Sequence, residues 1–347
     1  MPDRMTIQTY RVRILPLTDL HVGSGETAIP GEYFVFPKDL HAYFIDLGQA
    51  TTRNAKLREF VLREMKQPQW LTTIRQQPGF VSYVKEHARF VVEMGDDATD
   101  IHEKWDQHTT SLTVSLLPRT IQGPIIPGSS VKGAIRTALV AQAWTANDHY
   151  PVPPHPNAAA EWERQVMGAT PNYKGRFDIS SDPLNVLKVG DLSPQHTIPD
   201  TILHRIQREG MAPGGDAADL QDYRECLPGV MLTDGTAYYL DGQFTLTVTR
   251  GQEPALTAPM MLQRCQDYYA GVLQQEIFYW RQKDQDTAGL YEALMEEGSD
   301  NEALIRIGWG SGQTALRIPD GPSPKTRALV GGYPPGWALL RIDEGEA

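Results

Sequence analysis

The sequence predicts an α+β protein with two sheets, each covered by helices on one face. Short runs alternate apolar and polar residues at the strand period, while longer runs repeat apolar residues at helical spacing. Their order, strand–helix–strand–strand–helix–strand, recurs loosely twice over 347 residues. A chain of this length has room for two cores, and the domains are expected at 1–200 and 201–347.

Residues 6–15 set Tyr10, Val12 and Ile14 against Arg11 and Arg13, a strand with one wet face. Leu17 to Glu26 follows as a glycine-bearing loop, and 33–45 reads as a hairpin turning at Pro37-Lys38-Asp39. Leu57, Phe60, Val61 and Met65 mark a helix over 53–66, with a second helical piece expected near 80–93. A short apolar strand at 111–117 leads through Pro118 and Gly123-Pro124 into another helix. The prolines of Tyr150 to Pro156 exclude a helix interior and read as a stiff linker. Then come a strand at 185–192, an exposed loop at 208–219 and a cleanly alternating strand at 244–249. A long helix over 258–282 sets Leu262, Cys265, Tyr269, Val272 and Leu273 on one side. Tyr268, Phe278, Tyr279 and Trp280 on the same helix read as core or subunit contact.

The chain carries 40% hydrophobic residues, 30 Gly and 26 Pro, the make-up of a loop-rich globular protein. No run of eighteen apolar residues occurs, which excludes a membrane-spanning helix and a membrane partner of that kind. Met1-Pro2-Asp3-Arg4 lacks the pattern of a signal peptide, and Cys226 and Cys265 have no partners at metal-ligand spacing. A reducing cytoplasm is therefore expected, with neither cofactor nor metal. The net charge of −11 argues against general, non-specific binding to nucleic acid. Acid concentrates in 93–106 and 284–302, while positive charge remains around 4–13, 132–136, 306–327 and 341, so a local basic track on an acidic body is compatible with the composition.

The most informative stretch runs from Ile126 to Leu139. Pro127-Gly128 ends an extended segment, Ser129 or Ser130 is a natural N-cap, and Val131, Ala134, Ile135, Ala138 and Leu139 form one buried helix face. Lys132 and Arg136 lie four apart on another face. A helix N-terminus with two added cations suits an anion such as phosphate, although an ordinary capped helix with solvated cations has the same spacing. The phosphate-loop spacing G-x-x-x-x-G-K-[ST] is absent. A second unusual segment, Arg306-Ile307-Gly308-Trp309-Gly310-Ser311-Gly312, alternates glycines that allow close backbone approach to a ligand.

Leu17 to Gly25, Ile126 to Thr137 and the Gly308–Gly312 loop together resemble the RAMP superfamily of CRISPR effector proteins. Within it, Ile305 to Gly312, then Pro324-Lys325-Thr326-Arg327, then Pro335 to Leu340 look like the terminal Csm subunit of type III-A complexes. The resemblance implies two ferredoxin-like, RRM-related domains whose glycine-rich loops contact RNA. It implies a subunit that holds the 3′ portion of the crRNA, closes the helical backbone and helps set guide length, alongside target RNA, neighbouring backbone and small subunits, and host nucleases. On that basis Ser129, Ser130, Lys132 and Arg136 are assigned to guide phosphates. Gly23, Ser24 and Gly25 form a second backbone cradle with His21 beside it. Gly308, Gly310, Ser311 and Gly312 line the same track, Trp309 is either a base-stacking residue or core, and Lys325 and Arg327 are further phosphate candidates. A scaffold subunit and a metal-dependent ribonuclease are the alternatives. The ribonuclease would draw on Asp19 and His21, with Asp39, His41, Asp46 and Asp191 scattered nearby, at no spacing that defines a metal site.

Overall fold

A computed structural model describes residues 5–36, 38–67, 69–108, 112–146, 159–169, 182–196, 199–209, 222–232, 237–249, 256–299, 301–310 and 327–344. The alternating N-terminal run is strand β1 (Met5–Pro16). It is followed by β2 (Thr27–Ala28), β3 (Tyr33–Val35) and β4 (His41–Phe44), the last two forming the expected antiparallel hairpin. Helices α1 (Leu47–Arg53) and α2 (Ala55–Glu64) come next, their first turns capped by the side chains of Asp46 and Asn54. Beyond α3 (Trp70–Arg75) and α4 (Pro78–His87) lies β5 (Phe90–Met94). The helix expected near 80–93 thus stops short. Val92 and Met94 are buried while Val91 and Glu93 are exposed, so the segment has the strand period and pairs with β4.

Then follow α5 (Ile101–His108), β6 (Thr113–Ser115), β7 (Arg119–Thr120), β8 (Gly123–Pro124) and α6 (Gly128–Ala146). After α7 (Ala159–Val166) come β9 (Leu187–Val189), β10 (Ser193–Pro194), β11 (Ile202–Arg205), β12 (Gln207–Glu209) and β13 (Asp222–Cys226). The chain continues with β14 (Leu240–Thr249), α8 (Ala258–Trp280), α9 (Gln285–Met295), β15 (Glu302–Arg306), β16 (Arg327–Leu329) and β17 (Trp337–Glu344). The expected 208–219 loop begins inside β12; its remainder from 210, Tyr150 to Pro156, and Pro37 lie outside the described residues.

Two larger sheets organise these elements. The first has the order β10-β14-β1-β17-β15 with β9 beside β14, and the second β2-β6-β13-β11-β5-β4-β3. On one face of the first sheet, Val12, Ile14 and Phe244 share a core with Val131, Ile135 and Ala138 of α6 and Leu262, Cys265 and Tyr269 of α8. The opposite face carries Arg11 and Arg13, ion-paired with Asp241 and Asp343. The second core gathers Tyr33, Phe34, Val92 and Tyr223 with Val61, Val84 and Trp105. The architecture is α+β, as expected. The sheets, however, interleave along the chain and do not meet at 200/201. Strands β9 and β10 of the first sheet precede that point, while β11 and β13 of the second follow it. Pairing between strands remote in sequence leaves no compositional mark, so the interleaving is not legible in the sequence.

Candidate nucleic-acid interface

The loop after β1 is fixed to the far end of the chain. Leu17 and Thr18 donate their backbone N–H groups to the Trp337 carbonyl at 2.9 and 3.1 Å, and Gly336 donates to the Asp19 carbonyl at 2.9 Å. The glycine segment after β15 lies against the same loop, with the Trp309 N–H donating to the His21 carbonyl at 2.7 Å. Gly308 sits at φ 79°, and a Cβ there would collide with that carbonyl. Only glycine fits the approach. Gly310 follows; Ser311, Gly312 and Lys325 lie outside the described residues.

On this joint Gly23 and Gly25 are exposed and Ser24 is half-buried. Ser24 donates both its N–H and its hydroxyl to the Leu116 carbonyl, at 3.1 and 2.9 Å, so the cradle has a fixed shape. His21 itself is buried, with Nδ1 2.7 Å from the Glu225 carbonyl, to which it donates. Burial, and then the positive charge of Arg224, push its pKa down to about 3, so the imidazole is neutral. It has no free face for stacking. Trp309 is half-buried: it packs on Ile206, Cys226 and Val330, and the Arg224 guanidinium lies 4.1 Å from its ring centroid.

The middle segment is held by other contacts. Helix α6 begins at Gly128, whose N–H donates to Asp191 Oδ1 at 2.9 Å, so the first turn is capped from a distant loop and Ser129 and Ser130 fall inside it. Ser129 is exposed. Lys132 Nζ donates to the carbonyls of Leu184 and Leu187, each at 2.8 Å, while burial and neighbouring Lys188 hold its pKa below the usual lysine value. Arg136 pairs with Glu163 at 2.9 Å and with Asp182 at 2.8 Å. Arg327 pairs with Glu276 at 2.7 Å and stacks on Tyr279. These three cations are engaged by the chain's own acceptors. One buried group ties this segment to the joint: the Tyr269 hydroxyl lies 3.1 Å from the Ala134 carbonyl and 3.5 Å from that of Arg306, where β15 ends.

Beneath the joint is a polar network that sequence reasoning missed. His204 lies between two carboxylates, with Nε2 3.0 Å from Asp19 Oδ2 and Nδ1 2.9 Å from Asp97 Oδ1. Burial opposes its charge, yet hydrogen bonds to Asp19 and Asp97 raise its pKa to about 9. The other oxygens of the same carboxylates accept the N–H groups of Gly229 and Gly331, at 2.8 and 3.2 Å. Glu225, fully buried, pairs with Arg119 and accepts from Thr201 Oγ1 at 2.6 Å and Leu117 N–H at 3.1 Å. Asp97 and His204 are 107 residues apart, so no local motif announces them.

A family model of the RAMP superfamily matches residues 13–313, from within β1 to just past β15. The chain belongs to the RAMP superfamily. No curated protein matches it by sequence. Among solved structures it is similar to a chain of the Csm–crRNA–target RNA ternary complex of a type III-A CRISPR-Cas system. That likeness has 17% identity and a TM-score of 0.66, over 96% of this chain and 100% of the other. It is also similar to T.onnurineus Csm5, at 16% identity and a TM-score of 0.65, over 94% and 99% of the two chains. This RAMP chain therefore shares its fold with Csm subunits over almost its whole length. Among its described residues, no helix is long and apolar enough to cross a membrane.

Proposed function

We propose that the chain is the crRNA-binding subunit that caps the backbone of a type III-A Csm ribonucleoprotein at the 3′ end of the guide. The observation that carries this reading is the joint between the loop after β1 and the glycine segment after β15, secured by the Trp309–His21 hydrogen bond. It anchors the loop that exposes main chain at Gly23 and Gly25, a surface suited to a sugar-phosphate strand. Such readout follows shape and backbone, so it serves guides of any sequence. The order β9/β10-β14-β1-β17, with α6 and α8 as connections, supports a ferredoxin-like reading of the first sheet.

In this reading Lys132 and Arg136 support the track from within the fold and do not grip phosphates themselves. The chain binds RNA without cutting it: Asp19 and His21, the nuclease candidates, are both buried and bonded inside the protein. Its partners are the 3′ portion of the crRNA, target RNA and neighbouring Csm subunits, with host nucleases acting during maturation. The test is co-expression with Csm backbone subunits, followed by sizing of the co-purified RNA. Omitting this chain is expected to make guide 3′ ends ragged. Gly23→Asp, a charge on an exposed loop position where a Cβ meets only ordinary contacts, is expected to do the same without loss of stability. Guides of unchanged length and occupancy in both cases would overturn the proposal.

A further inference from the structure

At one end of the second sheet a cleft of about 550 Å³ opens between β2, the start of α1 and the start of β5. Half-buried Phe90, Leu47 and Leu116 form its apolar lining, the Phe90 ring stacked on buried Phe44 with centroids 4.6 Å apart and the Arg119 guanidinium 3.9 Å from the Phe90 centroid. The rim bears three carboxylates, Glu26, Glu32 and Asp46, against the single guanidinium of Arg89, and all four side chains belong to exposed residues. Asp46 Oδ1 caps α1 through the Gln49 N–H, and Glu32 Oε2 accepts the Ile29 N–H at 3.0 Å. The Glu26 carboxylate has no hydrogen-bond partner among the described residues. The opening is thus net negative above an apolar lining, the reverse of what a phosphodiester strand requires.

We propose that this cleft docks a basic segment of a protein partner: an arginine or lysine set between the rim carboxylates, with an adjacent apolar side chain against Phe90, Leu47 and Leu116. Charge complementarity selects the cation, and the apolar lining selects its neighbour. The volume falls within the range of pockets that bury side-chain-sized groups. This site is independent of the RNA reading, because its rim repels RNA.

The full chain is titrated against a fluorescein-labelled hexapeptide alternating leucine and arginine, followed by anisotropy, with a leucine–glutamate counterpart and oligouridylate as competitors. Glu26→Gln and Glu32→Gln are each expected to weaken binding roughly two- to five-fold, and Arg89→Gln to tighten it by a similar factor, the size of an exposed charge contact. The glutamate peptide and oligouridylate should not compete. Equal affinity for the glutamate peptide, displacement by oligouridylate, indifference to all three substitutions, or no binding at millimolar peptide would overturn the proposal. Gln at position 32 keeps an acceptor for the Ile29 N–H, so loss of fold does not confuse the outcome.

Discussion

Replacing His204 by glutamine should remove a pH dependence that the protein otherwise shows in mild alkali. In the folded chain the imidazole is held between Asp19 and Asp97, with a pKa raised from 6.5 to about 9. A raised value means that the folded state binds the proton more tightly than the unfolded one. The associated stability is fully present below pH 6.5 and is lost as pH rises through 9. A shift from 6.5 to about 9, at about 1.4 kcal/mol per unit, corresponds to about 3 kcal/mol in all, of which about 2 kcal/mol disappears between pH 7 and 9.5. Urea unfolding at the two pH values measures it. Growing negative charge acts on wild type and variant alike, so the difference between their slopes isolates the histidine. His204→Gln should be less stable at pH 7 and nearly flat to pH 9.5. A variant that kept the wild-type slope would refute the clamp. Because Asp19 also accepts from Gly229, the alkaline loss should be accompanied by loosening of the loop after β1, readable as faster amide exchange.

Two further outcomes follow from the same geometry. Gly308→Ala places a Cβ against the His21 carbonyl at positive φ and should cost about 2 kcal/mol or more in urea unfolding; a neutral effect would mean that the two loops are not joined. Arg136→Ala leaves Glu163 and Asp182 without their cation and should cost about 2–3 kcal/mol; a change below about 0.5 kcal/mol would count against a structural role for this cation.

The elements were legible where one physical period dominates. The alternation read at 6–15 and 244–249 falls inside β1 and β14, and α8 buries Leu262, Cys265, Tyr269 and Leu273 on the side the spacing predicts. Phe90–Met94 was misread because a five-residue segment with four apolar residues fits either period until its partner strand is known. The glycine segments were visible as unusual letters, and the joint between the first and third gives them a common place. Local spacing could not reveal that Lys132 and Arg136 turn inward, since Leu184, Leu187, Asp182 and Glu163 reach them from elsewhere in the chain. The same blindness hid His204. Its two carboxylates come from the loop after β1 and from the turn after β5, and only the completed fold sets them on either side of the ring.

The position of β1 has a consequence for how the molecule comes into being. It lies between β14 and β17, and the Trp337 N–H reaches back 319 residues to the Thr18 hydroxyl. During synthesis this strand keeps one edge vacant until β17, more than three hundred residues further along, has been made. A chain cut short before β17 would therefore carry a bare, sticky flank along β1.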